Sequence, residues 1–163
     1  MEIAIISDTH MPRGKRRLPE ACVARLREAD LILHAGDLMT LSVLAELRSL
    51  GDVVAVYGNV DDPEVQASLP ASTVVEADSV RIGMIHDAGP KNGRIARLRA
   101  HFPDCDAVVF GHSHLPVHER DESGFQIFNP GSPTERRRAP ERTMGVACVR
   151  AGAVSFELIA LDS

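Results

Sequence analysis

The sequence predicts an α/β fold in which two stacked, mixed β-sheets are flanked by helices, and three observations lead there. The first sixty or so residues alternate short apolar runs with helical spacings in the order βαβαβ, the pattern of a parallel sheet with right-handed crossovers. Beyond Pro70 strands dominate, and a strand-rich half needs a face to pack on. The chain has 163 residues, 44% apolar and 25% charged, a balance that can bury a core without disulfides.

Residues 2–7 form a β-branched, apolar run that reads as a buried strand, and residues 18–28 carry helical spacing through Leu18, Cys22, Val23 and Leu26. The beat repeats with a strand over 31–35, a helix over 41–50, and a strand over 53–57 stopped by Gly58. Strands over 73–76 and 80–86, a helix over 93–102 and a strand over 107–110 follow. The last strands are expected over 117–119, 125–129, 143–150 and 154–161, with hairpin turns at 121–124 and 150–152, and they imply a second, mostly antiparallel sheet. Residues 132–142 are polar, proline-bounded and basic, which predicts an exposed loop. Neither repeats nor a linker break the chain, so one domain is expected over 1–163.

With 18 basic and 23 acidic side chains the formal charge is −5, which disfavours broad nucleic-acid or membrane adhesion. Cys22, Cys105 and Cys148 have neither metal nor redox spacing and read as packed free thiols of a reducing compartment. Met1 leads straight into a strand pattern, and no apolar run reaches the ~18 residues of a membrane span, so a cytoplasmic protein is expected. The absence of a Gly-x-Gly-x-x-Gly or P-loop pattern argues against a nucleotide-binding Rossmann domain.

Function is written at the strand ends. The apolar runs lead in turn to Asp8, Gly36-Asp37, Gly58-Asn59, His86 and Gly111-His112, and the carboxyl ends of strands are the edge where open α/β sheets bind ligands. Two ends add a partner at i+2, His10 and His114, and an extended backbone points i and i+2 to one side. A lone Asp after a strand is commonly a cap, but independent caps do not place four of the chain's seven histidines at strand ends. Two carboxylates, one amide and four imidazoles exceed what one transition ion accepts. They suit two ions roughly 3.5–4 Å apart that share a carboxylate and a water. The donor set fits Mn, Fe, Zn, Ni or Co better than Mg or Ca and does not choose among them; Mn is the ion expected to work in assays.

In order and spacing, Asp8-x-His10, Gly36-Asp37, Gly58-Asn59, His86 and Gly111-His112-x-His114 resemble the motifs of the calcineurin-like metallophosphoesterases. Leu18-Pro19 and Asn129-Pro130-Gly131-Ser132 are similar to the small single-domain bacterial and archaeal phosphodiesterase branch. The resemblance implies an αββα sandwich and hydrolysis of phosphate esters, chiefly diesters, by a hydroxide bridging two divalent metals. It implies that Asp8, His10 and His114 hold one metal, that Asn59, His86 and His112 hold the other, and that Asp37 bridges them. It makes Asn59 and Asp37 the candidate catalytic residues, with Asn59 also donating to the phosphate. Two ions, two carboxylates and a hydroxide leave about +1 facing the anionic substrate. A phosphomonoesterase or nuclease on the same site is the alternative, as is a protein-interaction module of the same fold; a homo-oligomer is left open.

This sequence departs from the family pattern twice. Val60 and Asp61 follow Asn59 where many members have a histidine that assists the leaving group, and Asp87 and Ala88 follow His86 where the small branch often has His-Gly-His. A metal-bound water or solvent is then the preferred proton donor, with Asp61 or His34 as alternatives. His34 reads equally as support for Asp37 and as a satisfied core histidine, and Asn129 as structural support near the site. His101 and His118 are read as surface residues, and the basic runs 14–17 and 136–138 as solvated loop charge.

Overall fold

A computed structural model of the chain describes residues 1–162; Ser163, the last residue of the expected domain, lies outside it. The opening βαβαβ unit forms as expected, with β1 (Glu2–Ile6), α1 (Glu20–Glu28), β2 (Leu31–His34), α2 (Leu41–Leu50) and β3 (Val53–Ala55). β1, β2 and β3 lie parallel, with Ile5 opposite Leu33 and Leu33 opposite Val54. Thr40 caps α2, its hydroxyl accepting from the Val43 N–H at 3.4 Å. A short helix, α3 (Pro63–Ser68), was not expected, because six residues are too few to show a period; its signal is Asp62-Pro63, a proline at the first helical position.

The second sheet is built from β4 (Ser72–Ala77), β5 (Val80–Ile85), β6 (Ala107–Val109), β7 (Val117–Arg120) and β8 (Gln126–Asn129), in the order β4-β5-β6-β8-β7. It is mixed rather than mostly antiparallel. The crossover through α4 (Arg94–His101) makes β5 and β6 parallel, and β8 returns parallel to β6, while the β4–β5 and β7–β8 hairpins are antiparallel. The last two strands, β9 (Thr143–Arg150) and β10 (Ala153–Ala160), belong to the first sheet, whose order is β10-β9-β1-β2-β3. There β9 covers the edge that β1 would otherwise leave open, a long-range pairing that local pattern does not reveal.

The period of two sorts β1 between two cores. Ile3 and Ile5 face Leu33, Val109 and Phe128 between the sheets, whereas Ala4 and Ile6 face Leu26 of α1 and Leu44 and Leu47 of α2 on the outside. On the far side Leu98 and Phe102, from α4 and its end, cover Val108 and Ile127. Each fully buried Leu or Ile contributes about 1.5–3 kcal/mol, so these layers hold the strand ends in place. None of the described helices is long and apolar enough to cross a membrane.

The segment 132–142 is not the loose loop its composition suggests. Arg136, Arg137 and Arg138 are exposed, but Ser132 is buried and its hydroxyl donates to the Asp8 carbonyl at 2.8 Å, while Thr134 donates to the Thr9 carbonyl at 2.7 Å. The turn after β8 thus braces the loop after β1.

Candidate metal centre

All seven expected donors meet where the carboxyl ends of β1, β2, β3, β5 and β6 converge. Asp8, His10 and His114 form one group with donor atoms within 4.8 Å of one another, and Asp37, His86 and His112 form a second. Asp37 stands between them: its Oδ2 is 3.5 Å from His10 Nε2 and 3.1 Å from His86 Nε2. Asn59 Oδ1 completes the second group, 3.2 Å from His86 Nε2 and 3.1 Å from His112 Nδ1.

The i, i+2 pairs converge, but by another route than an extended backbone. Asp8, His10, Asp37, His112 and His114 all have left-handed φ, between 46° and 76°. Such angles are uncommon outside glycine and concentrate at functional sites. Close approach also explains two of the glycines that precede donors. A Cβ on Gly58 would collide with Asp37 Oδ1, and one on Gly111 with the Ser7 hydroxyl and Asp8.

The donors are prepared for a cation. Asp8 Oδ1, His10 Nε2 and His114 Nε2 are buried without a hydrogen-bond partner, a state that native interiors avoid unless something satisfies the lone pairs. The opposite ring edges are tied back. His86 Nδ1 donates to the Ala35 carbonyl at 2.7 Å and His114 Nδ1 to the Glu135 carbonyl at 3.2 Å, which turns each Nε2 toward the centre, as metal-binding histidines require. Asp8 Oδ2 accepts from the Ser7 hydroxyl at 2.8 Å and the His112 N–H at 3.0 Å, leaving Oδ1 free. A divalent cation fits this donor set.

Without a cation, protons take up part of the negative charge. Burial works to lower the His10 pKa, yet Asp37 and Asp8 outweigh it and raise it to about 9. Burial also opposes the Asp37 charge, but His10 and His86 hold that carboxyl well below the usual range. His86 is raised in the same way against its burial, chiefly by Asp37, whereas burial wins at His114 and lowers it. If His10 is one of the ligands, metal uptake must displace the proton it holds. Affinity of metal-stripped protein for Mn²⁺ should rise with pH from 6.5 toward 9, by about tenfold per unit, and flatten above it. Competition titrations across that window check this; an affinity flat in pH would mean that His10 binds no proton in the stripped protein.

His34 is a buried, satisfied histidine that also supports the site. Its Nδ1 accepts from the Gly36 N–H at 3.1 Å, its Nε2 pairs with the Thr9 hydroxyl at 3.0 Å, and burial pushes its pKa down to about 4. It shapes the turn before Asp37 without touching that carboxylate. Asn129 donates to the Gly111 carbonyl at 3.1 Å and accepts from the Gly131 N–H at 2.9 Å, bracing the loop of His112 and His114. His118 hydrogen-bonds Gln126 in the β7–β8 hairpin, and His101 lies exposed at the end of α4; neither joins the centre.

Asp61 is the residue whose role sequence reasoning missed. Almost fully buried, it accepts the Asp37 N–H at 3.0 Å and the Gly58 N–H at 2.7 Å on Oδ2, and the Met39 N–H at 2.6 Å on Oδ1. Burial pushes its pKa up despite these three donors. The only signal was an acidic residue two places after Asn59, which a turn or cap explains equally well.

The calcineurin-like phosphoesterase superfamily domain matches residues 1–152. The chain belongs to that family. A probable metallophosphoesterase of Methanothermobacter thermautotrophicus is 38% identical over 139 residues, which cover 84% of this chain and 80% of that one. Vps29 of Entamoeba histolytica, solved in complex with zinc, shares the fold at a TM-score of 0.77 and 22% identity, covering 99% of this chain and 100% of its own. So does an archaeal phosphodiesterase, at a TM-score of 0.73 and 21% identity, covering 98% and 100%. In this member of the calcineurin-like phosphoesterases, the strand-end donors stand at the edge where the two sheets meet.

Proposed function

We propose that this protein hydrolyses phosphodiesters with two divalent transition-metal ions, one held by Asp8, His10 and His114 and one by Asn59, His86 and His112, with Asp37 shared between them. Mn²⁺ is the ion expected to support turnover in assays. The observation that carries this reading is the group of buried, partnerless donor atoms Asp8 Oδ1, His10 Nε2 and His114 Nε2 beside a carboxylate that faces both histidine groups. Divalent ions held there supply Lewis-acid stabilisation of the phosphoryl oxygens and a water acidic enough to attack near neutral pH. The chain's own residues orient the reaction. Asn59 turns its Oδ1 toward His86 and His112, which leaves its Nδ2 to donate to a phosphoryl oxygen. Asp37 is fixed by the Val60 N–H, which donates to its Oδ1 at 2.9 Å.

The test is metal content together with turnover of bis(p-nitrophenyl) phosphate. Stripped protein should take up about two Mn²⁺ per chain and gain activity that chelation removes. Protein that binds metal yet turns over neither this diester nor p-nitrophenyl phosphate would be an interaction module of the same fold.

Neither alternative proton donor is placed to help the leaving group. Both Asp61 oxygens are committed to backbone N–H groups, and His34 is buried between Thr9 and Gly36. Rates across aryl diesters should therefore fall steeply as the leaving group's pKa rises. Val60→His keeps the backbone N–H that binds Asp37 and should speed poor leaving groups only, by up to ~10²-fold, the low end of general-acid help. A flat dependence in the wild type, with chemistry rate limiting, would mean that another group already donates.

A further inference from the structure

Beside the second metal group lies a cleft of about 420 Å³, within the range of sites that hold small molecules. Asn59 and His86 form its inner end, its walls are Tyr57, Ala71 and Ile85 with the neutral amide of Gln66, and the exposed Asp87 stands at the lip. The walls are set by backbone bonds. The Tyr57 N–H donates to the Pro70 carbonyl at 3.1 Å, and Ser72, the first residue of β4, pairs with Ile85 at the end of β5, which places Ala71 beside it. Tyr57, the chain's one tyrosine, is half-buried and packs on the outer core.

Charge is distributed unevenly around the centre. The basic loops meet on the His114 side, where Arg16 pairs with Glu135 at 3.0 Å and the Glu135 carbonyl holds His114. On the cleft side the charged side chain at the lip is the exposed carboxylate of Asp87, which repels a second phosphate. A largely apolar wall with an aromatic ring, one neutral amide and an anionic lip selects a flat, uncharged group.

Resting on the phosphoesterase reading, we propose that this cleft is the subsite for an uncharged aromatic ester substituent of the phosphodiester, and that Tyr57, Ala71 and Ile85 determine the preference for it. The ring lies along the Tyr57 and Ile85 walls while its phosphate reaches the donors at the inner end.

Calorimetry with phosphonates, which are not hydrolysed, tests this on Mn²⁺-loaded protein. Phenylphosphonate should bind about tenfold more tightly than methylphosphonate, the scale of burying one ring face against an aromatic wall. Tyr57→Ala should remove most of that preference. Because Tyr57 also packs on the core, Ala71→Gln, at an exposed position, is the second variant; by filling the cleft with a longer neutral chain it should abolish the preference, read as the ratio of the two phosphonate affinities. Equal wild-type affinity for the two phosphonates, or a preference that survives both variants, overturns the subsite alone. Binding of neither phosphonate by metal-loaded protein that also lacks turnover overturns the phosphoesterase reading, and the subsite with it.

Discussion

Asp37→Asn should lower turnover of an activated phosphodiester by orders of magnitude, a larger loss than at most other single donors. The amide has the shape of the carboxylate, so the Val60 N–H can still find an oxygen, but the atom that faces both His10 and His86 loses its charge. Two cations held near one another would repel strongly, and on the proposed arrangement the Asp37 carboxylate would offset that repulsion. The variant should therefore bind metal with reduced stoichiometry as well as affinity. A second readout is independent of turnover. Burial lowers the His10 pKa and Asp37 is the stronger of the two carboxylates that raise it, so in stripped Asp37→Asn protein the His10 pKa should fall well below about 9. Metal uptake should then lose most of its dependence on pH between 6.5 and 9. Glu122→Gln, exposed in the turn between β7 and β8 and outside both donor groups, is the control. Near wild-type turnover of Asp37→Asn at saturating Mn²⁺ would show that Asp37 does not bridge.

What was legible in the sequence follows the range of the interactions concerned. β1 to β3 and the helices between them were readable because each is local: a run of β-branched residues, a helical spacing, a glycine stop. The placement of all seven candidate donors was readable because each follows a strand within five residues of its end, and the ends of parallel strands share an edge. The partner of β9 was not readable, because its pairing with β1 joins residues more than a hundred positions apart and its alternating pattern suits either sheet. Nor was the conformation at the donors: Asp8 and His10 look extended in a strand-like run, and only the fold shows both in the left-handed region. Ser132 and Thr134 were hidden for a related reason. Small hydroxyl residues beside prolines read as loop, and the carbonyls they serve, at Asp8 and Thr9, lie far away in sequence.

Asp61 shows how much of the centre rests on a side chain that touches no expected metal, and Asp61→Ala should weaken both the fold and metal binding. Its carboxylate accepts N–H groups from two loops at once, that of Asp37 and Met39 and that of Gly58, and so sets the distance between the shared carboxylate and Asn59. Truncation leaves three N–H groups without that acceptor. One such group buried without a partner costs about 1–3 kcal/mol, and water entering the space recovers part of it, so a loss of roughly 3 kcal/mol in unfolding free energy is expected. Supporting residues of this kind typically change metal affinity by about 10–100-fold, and the loss should fall mainly on the group of Asn59, His86 and His112, because Asp8, His10 and His114 are braced separately by Ser7, Ser132 and Glu135. Asp61→Asn separates charge from geometry. The amide keeps one accepting oxygen but presents an NH₂ to the backbone N–H groups on its other side, so it should recover only part of the stability. Chemical unfolding of stripped protein reads the first effect and calorimetric Mn²⁺ titration the second. If Asp61→Ala were less stable yet bound Mn²⁺ at both groups with wild-type affinity, the sheets alone would fix the distance from Asp37 to Asn59, and the Asp61 carboxylate would serve the fold without serving the metal centre.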